Sequence, residues 1–182
     1  MKNYYVVEPS EPRYGEQVLI ILAENYNDLE FFYPYYRLNG AGYQATVAGI
    51  QKGDCKGKNQ YTFPIELEIS QLKADDYDML YVPGGKAPEI LRKDKAVLQL
   101  VKNFVEQKKP VVSICHGPLV LADAGVIQGK KITCWPECKD DIVKAGGQYI
   151  DTSVVRDDHL ITSRWPGDLP NFMREVLKIL KE

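Results

Sequence analysis

The chain has 182 residues, 45% hydrophobic and 26% charged, with a net charge of -2. That is the profile of an ordinary globule, long enough to bury one full core. There is no basic surplus to hold a phosphate backbone and no apolar run near the roughly 20 residues that span a bilayer, so neither nucleic acid nor membrane is an expected partner.

Residues 1–17 are rich in Tyr, Pro and Glu without a clear period. They read as an arm that lies on the surface or reaches a neighbouring subunit. They lack the apolar stretch of a secretory signal, so the cytoplasm is the expected location. The remaining residues, 18–182, read as one domain. Val18-Leu19-Ile20-Ile21-Leu22-Ala23 is a continuous apolar run, as expected of a parallel strand buried on both faces. Asn27-Asp28-Leu29-Glu30 has the form of a helix start, with Asn as N-cap and Glu three residues on. Pro34 interrupts that helix and is expected to kink it. Gly40 and Gly42 close it before a second strand at 44–50.

Residues 53–60 read as a turn and 61–69 as a β-excursion. Tyr77 to Val82 is the next core strand, ending at Pro83-Gly84-Gly85. A short helix after Ala87 and a longer one over 94–107 follow. Val111-Val112-Ser113-Ile114 then runs into Cys115-His116-Gly117-Pro118 and an apolar helix. Beyond it lie a strand at 131–134, a helix over 140–145, a hairpin over 149–163 and an amphipathic helix from about 169 to 180. Strands alternating with helices predict a single-domain α/β fold with a doubly wound, mostly parallel, flavodoxin-like sheet. Ligands of such sheets bind beyond the carboxyl ends of the strands.

Three segments with chemical potential fall at those ends: 24–30, 84–89 and 115–116. A thiol between a β-branched strand and a Gly-Pro helix start matches a nucleophile elbow, with Cys115 in the nucleophile position. A helix N-terminus and a neighbouring imidazole would favour its thiolate. His116 is one of two histidines in the chain and the natural proton shuttle for that sulfur. The other, His159, follows Asp157-Asp158 and reads as a surface residue. Glu30 is either the carboxyl of a capping box or, if buried and protonated, a hydrogen-bond donor to the sulfur. Gly84 and Gly85 offer backbone N–H groups suited to an oxyanion hole. Glu89 suits the first turn of a helix. Cys134 and Cys138 form a C-x3-C with no second Cys/His cluster, which points to packing rather than metal or redox chemistry. No metal or cofactor is expected.

Asp28-Leu29-Glu30-Phe31-Phe32-Tyr33-Pro34, Pro83-Gly84-Gly85-Lys86-Ala87-Pro88-Glu89, Ser113-Ile114-Cys115-His116-Gly117-Pro118, Lys139-Asp140-Asp141 and Thr162-Ser163-Arg164-Trp165-Pro166 occur in that order. In them the chain resembles the ThiJ/PfpI family of the class I glutamine-amidotransferase-like superfamily, nearest its intracellular-protease branch. The resemblance implies Cys115 as nucleophile with His116 beside it, and Glu30 hydrogen-bonded to the sulfur. It also implies a carboxylate from an adjacent subunit, here Glu89, and hence a homodimer or a hexamer built from dimers. Trp135 and Arg164 join Gly84 and Gly85 as expected oxyanion or substrate-binding residues. Asn27 replaces a commonly acidic residue, and Trp135 a smaller aromatic. The expected activity is a cysteine-dependent one on small reactive carbonyls, glyoxalase- or deglycase-like. The alternatives are an intracellular cysteine peptidase acting on peptides and a redox sensor or stress chaperone with an oxidisable Cys115.

Overall fold

In the computed structural model, residues 5–7 and 17–181 are described. The strands are β1 (Gln17–Leu22), β2 (Gln44–Gly49), β3 (Gly53–Lys56), β4 (Thr62–Ile65), β5 (Leu67–Glu68), β6 (Met79–Val82), β7 (Val111–Ile114), β8 (Lys131–Ile132), β9 (Gln148–Tyr149), β10 (Val154–Asp157) and β11 (Leu160–Ser163). The helices are α1 (Asp28–Gly40), α2 (Ala87–Leu91), α3 (Lys95–Glu106), α4 (Pro118–Asp123), α5 (Lys139–Lys144) and α6 (Leu169–Ile179). Seven strands form the main sheet in the order β10-β11-β7-β6-β1-β2-β5, parallel except for β10 at one edge.

From β1 the chain steps outward one way to β2, then returns to β6 and proceeds the other way to β7 and β11. Right-handed crossovers place α1 and α3 on opposite faces, since their connections run in opposite directions. Both faces are therefore covered, which is why β1 could be apolar throughout: Val18 to Leu22 are completely buried. Helix α3 shows how sequence builds such a cover. Asp94 caps it by accepting from the Ala96 and Val97 N–H groups. Val97, Leu100, Val101 and Phe104, at helical spacing, are its buried stripe. The reversal of direction between β1 and β6 is the topological switch point, where ligand crevices form.

Two local expectations need correction. Residues 53–56, read as turn, form β3, paired antiparallel with β4 with Cys55 opposite Phe63. Gly-Asp-Cys-Lys has little strand propensity alone; burial of Cys55 against its partner strand decides the matter. The strand expected over 131–134 is only two residues long. It pairs with β9 in a separate ladder off the main sheet, so the hairpin proper is β10–β11. Of the N-terminal arm, the described residues rest on the protein's own aromatic surface. Tyr5 meets the rings of Phe32 and Tyr61, and the Val7 N–H donates to the Tyr35 hydroxyl. The rest of the expected arm before β1 lies outside the described residues. Among the described residues no helix is long and apolar enough to cross a membrane.

Candidate active site

The loops after β1 and β6 are stitched together at the switch point. Asn27 N–H donates to the Gly84 carbonyl at 3.1 Å and Lys86 N–H to the Asn25 carbonyl at 2.9 Å. Gly85 has φ +82, and a Cβ there would stand 2.4 Å from the Asn27 nitrogen; only glycine lets the two backbones meet. Asn27 caps α1 as the sequence indicated, its Oδ1 accepting from the N–H groups of Leu29 and Glu30.

The cap fixes the first turn of α1, and the first turn points Glu30 inward. Its side chain is wholly buried, so it is no solvent-side member of a capping box. Neither carboxyl oxygen has an ordinary hydrogen-bond partner. They face the thiol of Cys115 and the backbone of Gly84, where an added Cβ would lie 2.3 Å from Oε2 and 2.5 Å from the Cys115 Cβ. Burial lifts the Glu30 carboxyl to about 7, against the smaller lowering effects of Cys115, the Gly84 backbone and the charge of Lys58. The carboxyl thus exchanges its proton near neutrality.

The main chain of Glu30 is held as tightly as its side chain. Pro34 sits four residues on, inside α1, and has no N–H to give the Glu30 carbonyl. The hydroxyl of Tyr81, from β6, donates to that carbonyl instead. Tyr81 is 1% exposed, so this bond replaces in the core what the proline removed.

Cys115 lies between β7 and α4 with φ +63, a left-handed conformation costly for a residue with a Cβ. Neighbouring backbone holds it there: its N–H donates to Ser163 O at 3.0 Å, and its carbonyl accepts from Trp135 N–H at 2.9 Å. The sulfur stands 3.2 Å from His116 Nδ1. The thiol is raised well above its usual range, first by burial and then by the negative charge of Glu30; the backbone N–H groups of Gly85 and His116 oppose this. The helix N-terminus and imidazole expected to favour the thiolate thus act against burial and the Glu30 charge. Thiol and carboxyl form one coupled site, in which ionising Glu30 keeps the sulfur protonated and protonating Glu30 frees it. His116 is lowered by burial, hence neutral at neutral pH and able to accept a proton.

Cys115, His116 and Glu30 line one cavity of about 390 Å³ with Asn25, Asn27, Lys58, Gly85, Lys86, Trp135 and Pro166. Trp135 is one wall, stacked on His116 and meeting Trp165 edge-on. Of the expected site residues, Gly84 packs beneath the cavity. Arg164 does not line it. The guanidinium is held at 2.8 Å by both Asp168 and Asp151 and lies over the Trp165 ring, so it props the aromatic wall from behind. Glu89 projects from α2, about half exposed, 3.4 Å from Arg92. Cys134 and Cys138 are buried, with both thiols pushed up to about 12 by that burial, as packing residues are. Asn25, Lys58, Lys86 and Pro166 went unremarked as cavity residues. Only Asn25, a turn-forming residue directly after an apolar strand, offered a sequence signal for its left-handed φ of 62.

A doubly wound sheet with a left-handed cysteine after β7, facing a buried carboxyl, places the chain among DJ-1-like α/β proteins. The DJ-1/PfpI family model matches residues 16–179, and the chain belongs to that family. It is 41% identical over 165 residues to a deglycase of Pyrococcus abyssi, covering 91% of this chain and 99% of that one. A Bacillus subtilis protein whose name gives it, provisionally, as a cysteine protease is 37% identical over 168 residues, covering 92% and 99%. Among solved structures, DJ-1beta of Drosophila melanogaster superposes with a TM-score of 0.83 at 30% identity, covering 88% of each chain.

Proposed function

We propose that this chain is a cofactor-independent enzyme of the glyoxalase or deglycase kind, acting on small reactive carbonyls with Cys115 as nucleophile. The observation that carries this is the meeting of the Cys115 sulfur, the sealed Glu30 carboxyl and the neutral His116 imidazole on one small cavity. The left-handed turn at Cys115 has the geometry a nucleophile elbow requires. The naming of the Pyrococcus relative as a deglycase agrees with the chemistry.

For methylglyoxal, the thiol proton passes to His116 Nδ1 and the sulfur adds to the aldehyde carbon. An S–C bond forms, the C=O π bond breaks, and the oxygen takes the proton back, steadied by the N–H groups of Gly85 and His116. A proton then leaves the former aldehyde carbon and another is added at the ketone carbon, with Glu30 as the exchanging group, while the hydroxyl proton passes from the first oxygen to the ketone oxygen. The first carbon is oxidised to a thioester while the second is reduced to an alcohol. Water hydrolyses the thioester, releasing lactate and restoring the thiol, so the net reaction consumes one water. From an amine or thiol adduct of the same aldehyde, the amine or thiol leaves as the S–C bond forms, taking the cysteine proton. Glu89 of a neighbouring subunit, approaching His116 in a homodimer or larger assembly, belongs to the same proposal.

The test is lactate formation from methylglyoxal, beside cleavage of fluorogenic peptides, with Cys115→Ala as blank. Peptide cleavage alone would transfer the assignment to a peptidase. Neither activity above the blank would remove the enzymatic reading. The unengaged Glu30 carboxyl against the sulfur favours one other reading, an oxidisable thiol stabilised as sulfinic acid. Mild peroxide followed by intact mass would then find two oxygens on Cys115 alone.

A further inference from the structure

We propose that Lys58 and Lys86 form an anion-recognising subsite at the mouth of the Cys115 cavity, which selects carbonyl compounds and adducts bearing a carboxylate. The inference rests on the carbonyl-directed reading of the same cavity and adds its substrate class.

The two lysines come from distant parts of the chain and converge on one cavity. Neither has a carboxylate within ion-pair distance among the described residues, although the chain holds 25 acidic residues. Elsewhere among the described residues Arg92 is engaged by Asp123, Lys130 by Asp157, and Arg164 by Asp151 and Asp168. Among the described residues the only carboxyl lining the cavity is Glu30, sealed behind the sulfur and protonated below neutrality.

Lys58 is delivered by a secured turn rather than a loose loop. Its N–H donates to Tyr26 O at 2.8 Å, that of Asn59 to Asp28 Oδ2 at 2.8 Å, and Tyr26 Oη to Tyr61 O at 3.0 Å. Asp28 is itself 4% exposed, so the turn is anchored in the core at the start of α1. Lys86 is located by its own N–H on Asn25 and by the close approach of Gly85. The asparagines add donors: Oδ1 of Asn27 is spent on the helix cap, leaving its NH2 for the cavity. A neutral Asn27, where an acid would repel, suits the same ligand. Two ammonium groups and amide N–H donors around a thiol form a lining complementary to an oxyanion. Adducts of 2-oxoaldehydes with free amino acids or small thiol acids carry such a carboxylate a few bonds from the reacting carbon. Adducts on protein side chains do not.

The test compares alkylation of Cys115 by iodoacetate and by iodoacetamide, equal in size and different in charge. It is run at pH 6, where Glu30 is mostly protonated, and each ratio is divided by that of a free small thiol. Two exposed unit charges at about 6 Å in water favour the anion roughly tenfold. That preference should shrink in 0.5 M salt, because the screening length falls to a few ångströms. In the Lys58→Gln/Lys86→Gln variant the normalised ratio should fall to about one. A normalised ratio near one in the unaltered protein, or a preference that survives the double substitution, overturns the subsite. The outcome separates from that of the enzymatic reading. Discrimination without turnover of methylglyoxal would remove the enzyme and keep the subsite; turnover without discrimination would do the reverse. Where turnover exists, the methylglyoxal adduct of N-acetylcysteine should exceed that of its carboxamide in kcat/KM by the same factor.

Discussion

Replacing Glu30 by Gln keeps the shape of the buried side chain and removes its ability to ionise. In the folded protein the carboxyl titrates at about 7, against 4.5 for its ordinary value. Between those values the unfolded chain has released the proton and the folded chain has not, so stability falls by about 1.4 kcal/mol per pH unit as pH rises. Below 4.5 both states are protonated and nothing is lost; above 7 the loss is complete, at roughly 3 kcal/mol. Glu30→Gln should therefore match the unaltered protein near pH 4 and exceed its stability by about that amount at pH 8. In a chain of this size the gain is on the order of 6–12 °C in Tm. Paired urea denaturations at both pH values measure it directly, because every other titrating group cancels in the difference except the coupled thiol. A stability difference that does not change between pH 4 and pH 8 would refute the claim that Glu30 is buried at a cost. The same substitution should abolish lactate formation, as expected where a destabilising group is retained for chemistry.

The coupling predicts a second result for that variant. With the charge of Glu30 removed, the pH midpoint for Cys115 alkylation should move downward from that of the unaltered protein, read by mass spectrometry against pH. Gly84→Ala drives a methyl group into Glu30 and Cys115; activity should fall at least ~100-fold and stability by about 1–3 kcal/mol, measured by kinetics and denaturation. Tyr81→Phe leaves the Glu30 carbonyl buried without a donor, costing about 1–3 kcal/mol. Adding Pro34→Ala returns the helical N–H, so the double variant should recover part of that loss in a double-mutant cycle. Asn27→Ala removes the cap of α1 and should cost about 1 kcal/mol by the same denaturation measurement.

How much of this was legible in the residues differs from one element to the next. Buried parallel strands announce themselves, because a strand covered on both faces reads as a continuous apolar run; Val18 to Leu22 of β1 are read this way. The thiol was equally plain, since a β-branched strand meeting Cys-His-Gly-Pro marks a strand-to-helix turn. Strand β3 was not, because Gly-Asp-Cys-Lys becomes a strand only by pairing with β4. Arg164 lay within a segment that does reach the cavity, through Pro166, yet its own charge is spent on two aspartates that sequence order could not bring near it.

Alternation of pattern, caps and turn residues determined the α/β order, the switch point and the place of Cys115 at a strand-to-helix turn, all of which depend on near neighbours along the chain. What awaited the tertiary structure was the state of the groups around that sulfur. Whether Glu30 faces solvent or thiol, and whether Lys58 comes from a distant hairpin to the cavity mouth, depends on contacts between segments far apart in the chain. Ionisation follows burial and neighbouring charge, so a carboxyl titrating near neutrality is a property of the folded surroundings and not of the residue.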